Sequence, residues 1–110
     1  MKRIVCRSAD IQEGQARGFV VGESTAQIDL ILVRRGGELL GYVNSCPHQG
    51  LPLETFPDKF LTTDGSQFIC SAHGARFRVE DGFCVSGPCE GKSLRTLAFS
   101  VIGDDVLIDC

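Results

Sequence analysis

The sequence predicts an all-β fold, and three observations carry that prediction. Short runs of β-branched, aromatic and aliphatic residues recur along the chain between polar and glycine-bearing breaks. Several of those breaks have hairpin chemistry: Arg35-Gly36-Gly37-Glu38, Asp81-Gly82 and Gly103-Asp104-Asp105 place Gly and Asp where a tight turn needs positive φ. The 13 glycines disfavour long helices.

Taken in order, the candidate strands are Ile4–Cys6, Gly18–Val21, Ile28–Arg34 and Leu39–Asn44. Further on come Gln67–Cys70, Ala75–Val79, Phe83–Val85, Leu94–Val101 and Val106–Asp109. In the last of these, Val106, Ile108 and Cys110 alternate with Leu107 and Asp109, the period of two expected of a half-buried strand. Helical signals reach only single turns, at Asp10–Gln15 and at Pro52–Phe60. No internal repeat or low-complexity segment is found.

A chain of 110 residues fits one domain, 1–110, able to bury roughly 65% of its unfolded surface. Its 43% hydrophobic and 23% charged content is ordinary for a globular protein. The net charge of −3 is mild, and no basic stripe with interleaved aromatics points to nucleic acid. The longest apolar run, Ile28–Val33, is interrupted by Asp29 and falls far short of the ~20 residues that span a bilayer. No secretory leader is recognisable at the N-terminus, so the expected compartment is the cytoplasm, without membrane attachment. Six cysteines there read as metal ligands or free thiols rather than as a disulfide framework.

Composition shifts in the middle of the chain. Residues 44–91 hold all four prolines, both histidines and four of the six cysteines, while the flanks carry most of the strand material. The expected arrangement is a β framework with a small metal-bearing subdomain, about 44–91, inserted between two strands. Within it lie two ligand pairs, Cys46-Pro47-His48 and Cys70-Ser71-Ala72-His73, separated by the 21 positions from 49 to 69. Each pair follows a strand-like run and leads into a turn, at Gln49-Gly50 and at Gly74. Two such loops at strand ends can converge four soft or borderline ligands on metal.

These residues resemble the Rieske family, whose motif is Cys-x-His followed at a distance by Cys-x-x-His, with two thiolates on one iron and two imidazoles on the other. Ser86-Gly87-Pro88 is similar to the family's proline-containing loop over the cluster, and the run Leu94–Ile108 resembles its closing strands. The resemblance implies a Rieske-like antiparallel β-sandwich holding a [2Fe–2S] cluster on Cys46, His48, Cys70 and His73. Cys46 and Cys70 would hold the buried iron, and His48 and His73 the outer one. Gly50 and Gly74 would let the backbone approach the sulfides and donate N–H bonds, and Leu51 and Pro88 would shield the cluster. The principal rival is a structural zinc site of two Cys and two His. Zinc motifs usually pair Cys with Cys and His with His, whereas this chain pairs Cys with His twice. A nucleophilic Cys–His enzyme leaves that duplication unexplained.

The resemblance also bears on potential and partners. High-potential members carry a disulfide between the ligand loops and hydroxyl donors near the second loop. The matching positions here are Leu51 and Ala72, and Ala75 and Phe77, with neither cysteine nor hydroxyl. The implied potential is toward the lower end, on the order of −150 mV. That level suits a one-electron carrier, not itself an enzyme, between an NAD(P)H-dependent flavoprotein reductase and a terminal oxygenase. With both histidines assigned to the cluster, none remains for the mononuclear iron of a complete oxygenase. A small subunit of an assimilatory nitrite reductase and a non-redox zinc interaction module are the alternatives. The segment between the ligand pairs is longer than the family's usual spacing, and its Leu51, Leu53, Phe56 and Phe60 are expected to pack locally. Cys6 and Cys84 read as small buried residues, Cys89 as a neighbour of the cluster, and Cys110 as an exposed thiol. A Cys84–Cys89 disulfide stays open at this point.

Overall fold

The apolar run 28–33 explains the layering. In the computed structural model, which describes residues 2–23, 26–47, 50, 52–54, 58–71 and 74–109, this run lies on strand β3 (Ala26–Arg35). Its even and odd residues face two different cores. Leu30 and Leu32 join Ile11, Val106 and Ile108, whereas Ile31 and Val33 join Tyr42, Phe60, Phe68 and Phe77. All four β3 residues are buried, so the strand reads as a nearly continuous hydrophobic stretch instead of an alternating one. Burial of each such side chain is worth about 1.5–3 kcal/mol.

Among the described residues three antiparallel sheets of three strands surround these cores. β3 is central in the sheet β2-β3-β4, with β2 at Ala16–Glu23 and β4 at Glu38–Val43. The terminal sheet, β1-β9-β8, pairs Lys2–Arg7 (β1) with Asp105–Asp109 (β9), and β9 with Ser100–Ile102 (β8). The third, β5-β6-β7, is built from Gln67–Ile69 (β5), Arg76–Arg78 (β6) and Cys84–Ser86 (β7). The all-β antiparallel class expected from the sequence is the class observed.

Turn chemistry acts where it was expected. The β3–β4 hairpin pairs Arg35 with Glu38 across Gly36 and Gly37, both at positive φ (62° and 80°). The Glu13 carboxylate accepts both glycine N–H groups at 2.8 Å. Those two bonds hold the Glu13 carboxyl below the usual range. Beside it, Arg34 donates to Ile11 O (2.7 Å), Ser8 O (2.8 Å) and Ser8 Oγ (2.7 Å), tying the first loop to the hairpin.

Two expectations are corrected. Leu94–Val101 is not one strand, because the segment changes partners too often for a continuous ladder. Leu94 N–H donates to Gly82 O, Arg95 O accepts from Val43 N–H, Leu97 N–H donates to Gly41 O, and only Ser100–Ile102 then pairs with β9. The helical turn placed at Asp10–Gln15 falls earlier, as a 3-10 turn at Ser8–Asp10 whose Asp10 Oδ2 accepts from Arg7 N–H (3.0 Å). The described residues of Pro52–Phe60 carry no helix. No helix among the described residues is long and apolar enough to cross a membrane.

The β5-β6-β7 sheet is pinned to the framework by specific contacts. Tyr42 on β4 donates its hydroxyl to Val79 O (2.6 Å) and meets Phe68 edge-on at 5.4 Å between ring centroids. Arg35 reaches Gly65 O (3.0 Å), Ser66 O (3.2 Å) and the Glu80 carboxylate (3.3 Å). Phe60 packs so closely on Gly18 of β2 that a Cβ there would lie 2.8 Å from its Cζ, and Asp58 Oδ1 accepts the Gly18 N–H (2.9 Å).

Candidate metal centre

Cys46 leaves β4 and Cys70 leaves β5, and both enter turns closed in the same way. Gly50 N–H donates to Cys46 O (2.7 Å), and Gly74 N–H donates to Cys70 O (2.8 Å). The two glycines sit at φ +72° and +73°, the left-handed region in which other residues are strained. A Cys-to-Gly spacing of four in both loops is the sequence signal of this twin geometry, and the turns fall at the glycines where the sequence placed them. In both turns the glycine N–H is directed to the carbonyl of the cysteine four residues before it.

Cys46 and Cys70 are 2% and 1% exposed and belong to one buried cluster with Tyr42, Phe68 and Phe77. The other two expected ligands, His48 and His73, lie outside the described residues, as does Leu51. Among the described residues no group of three or more His, Cys, Asp or Glu is placed to hold a metal ion.

Leu53 is the bracket between the two loops. Its N–H donates to Asn44 Oδ1 (2.9 Å), two residues before Cys46, and its carbonyl accepts the N–H of Ser71 (2.8 Å), next to Cys70. Asn44 is buried and spends its amide on Glu54 Oε1 (2.8 Å) and Asp29 Oδ1 (3.3 Å). Leu53 and Phe60 are fully buried, so these parts of the long segment pack locally as expected, while Phe56 falls outside the described residues.

The Ser86-Gly87-Pro88 loop crosses the second turn at close range. Gly87 adopts φ +96°, and a Cβ on it would lie 2.7 Å from Ala75 Cα. Ala75 and Phe77, both fully buried, bring no hydroxyl to this contact. Pro88 is exposed, and the buried residue of the loop is Cys89. Cys89 Sγ lies 3.6 Å from Cys84 Sγ and 4.0 Å from Cys46 Sγ, while the Cys84 thiol also reaches Ser86 O at 3.2 Å. Cys84 and Cys89 are thiols, not a disulfide. Burial first, then the neighbouring sulfurs, pushes the Cys89 thiol up to about 12. Cys6, expected to be buried, is only partly so because it lies on β1, the edge of the terminal sheet. Cys110 is outside the described residues.

Fold and site together define a β framework that carries two cysteines on glycine-closed turns under a third, cysteine-bearing loop. Buried cysteine sulfurs of this kind suit a soft, sulfur-liganded metal group. Comparison identifies the group. The family profile described as Rieske [2Fe-2S] domain matches residues 1–101, and the chain belongs to that family. The ferredoxin component of the alkene monooxygenase system of Xanthobacter autotrophicus is 37% identical over 104 residues, covering 94% of this chain and 77% of that one. The ferredoxin component of biphenyl 2,3-dioxygenase from Rhodococcus jostii is 29% identical, covering 96% and 89%. A chain from a solved complex of reduced oxygenase and oxidized ferredoxin in carbazole 1,9a-dioxygenase superposes with a TM-score of 0.71 at 26% identity, covering 97% and 91%. The cofactor is a Rieske-type [2Fe–2S] cluster. The two buried thiols fit its sulfur-liganded iron, and the backbone cradle of Gly87 against Ala75 leaves no room for a side chain there.

Proposed function

We infer that this chain is a one-electron carrier, receiving an electron from an NAD(P)H-dependent flavoprotein reductase and passing it to a terminal oxygenase. The observation that carries the reading is the pair of buried cysteines, Cys46 and Cys70, on matched turns in a chain of the Rieske family. The relatives support it: two are ferredoxin components of oxygenase systems, and a third similar structure contains oxygenase and ferredoxin together. The chain is a component of an oxidoreductase system and does not itself transform the substrate.

In this reading Cys46 and Cys70 hold one iron as thiolates, and His48 and His73 hold the other through imidazole nitrogens. The bound cluster supplies reversible one-electron chemistry. The protein's part is to keep the thiolates dry, to fix both turns through Leu53, and to bring Gly87 over Ala75 so that water is kept from that side. Neutral imidazoles in place of two thiolates lower the negative charge of the centre and raise its potential above that of all-cysteine clusters. Residues 1–110 act as one unit, with 44–91 as the cluster-bearing subdomain, and the compartment is the cytoplasm.

Electron paramagnetic resonance of the dithionite-reduced protein tests the assignment. The wild type should give the rhombic Rieske signal, and Cys70→Ala or His48→Ala should lose it. A colourless zinc protein without that signal would overturn the reading.

A further inference from the structure

Three sulfurs lie in a row in the core, and the proposed ligand set uses only the first. From Cys46 the row runs 4.0 Å to Cys89 and a further 3.6 Å to Cys84, and each residue is at most 2% exposed. The protons can be assigned. Cys84 has a carbonyl acceptor, Ser86 O, at 3.2 Å. Among the described residues Cys89 Sγ meets the sulfurs on either side of it, and of these Cys46, once it ligates iron, is an anionic thiolate with no proton to donate. A thiol between a neutral sulfur and a charged one donates to the charged one, since hydrogen bonds to ionised acceptors are roughly twice as strong as neutral ones.

We propose that Cys89 donates an S–H···S hydrogen bond to the Cys46 sulfur and thereby raises the reduction potential of the cluster. The proposal rests on Cys46 being a ligand. Reduction adds an electron to the centre and increases negative charge on its sulfurs, so a donor aimed at one of them stabilises the reduced form more than the oxidised form. The covering loop is built to hold that donor in place. Gly87 lies against Ala75 with no room for a side chain, and the next turn is closed by Lys92 N–H on Cys89 O (2.9 Å). Cys89 is therefore a positioning residue acting through Cys46.

The test compares redox titrations of the cluster-loaded wild type, Cys89→Ala and Cys84→Ala. Cys89→Ala should lower the reduction equilibrium constant about threefold to tenfold, the upper figure being 59 mV for one electron. Cys84→Ala removes the same volume one sulfur further out and should leave the midpoint in place. Infrared spectroscopy gives a readout that packing alone would not move. The S–H stretching band absent from Cys89→Ala should shift to lower frequency when the wild-type cluster is reduced. An unchanged midpoint in Cys89→Ala, an equal shift in Cys84→Ala, or a Cys89 band indifferent to reduction would each overturn the proposal. A wild-type protein with no Rieske spectrum would instead sink the ligand assignment beneath it.

Discussion

At the scale of single residues, two buried polar side chains tie the β5-β6-β7 sheet and the turn at Cys46 to the framework. Tyr42 is 2% exposed and donates to Val79 O at 2.6 Å. Tyr42→Phe keeps the ring against Phe68 and removes the donor, so it should cost about 1–3 kcal/mol in urea unfolding with the cluster spectrum retained. Burial, reinforced by Asp81 and Glu80, pushes the Tyr42 hydroxyl up to about 12. The unfolded chain ionises near 10 while the native one keeps its proton, so the unfolded state binds fewer protons between these values and stability falls as pH rises through them. Tyr42→Phe should lack this alkaline loss. Asn44 acts on the other side of the site, as acceptor for Leu53 N–H and donor to Glu54 and Asp29. Asn44→Ala leaves a buried N–H without its acceptor and should likewise cost about 1–3 kcal/mol. Because Leu53 also binds Ser71 N–H, the same substitution should hasten cluster loss to a chelator, followed by visible absorbance.

Elements show which parts of the fold were legible in the sequence and which were not. The run 28–33 and the Gly36-Gly37 turn announced β3 and its hairpin, because strand burial and positive φ leave direct marks on residue choice. The irregular passage 94–99 also carries apolar residues, Leu94, Leu97, Ala98 and Phe99, yet its backbone serves Gly82, Val43 and Gly41 in turn, and no local pattern records a change of partner. The site divides in the same way. Cys46 and Cys70 stood out by spacing, and Cys89 was expected near the cluster, but the contact that orders the covering loop depends on Ala75, twelve residues before Gly87. At φ +96° and with Ala75 Cα in the way, Gly87→Ala must displace that loop from the second turn. We expect faster chelator-driven loss of the cluster than in the wild type, with the sheet β2-β3-β4 intact by far-ultraviolet circular dichroism. An unaltered rate of loss would show that the loop does not protect the centre.

For the whole molecule the question is where the fold sets the potential. Strong donors near the cluster sulfurs favour the reduced state, and this fold places few of them there. Ala75 and Phe77 are fully buried beside the second loop without a hydroxyl, and the N–H groups of Gly50 and Gly74 are already directed to the cysteine carbonyls. The Cys89 thiol is a weak donor, enough to tune the centre but not to move it across the family's range. With His48 and His73 as the proposed ligands, the centre would lie above all-cysteine clusters, and nothing in the described surroundings lifts it much further. The midpoint near neutral pH should therefore lie toward the low end of the Rieske range, on the order of −150 mV rather than +300 mV. A centre at that level accepts electrons from a reduced flavin and still drives them onward to an oxygenase. Redox titration of the purified protein decides the matter, since a clearly positive midpoint would mean that donors outside Ala75, Phe77 and the two glycine turns dominate the centre.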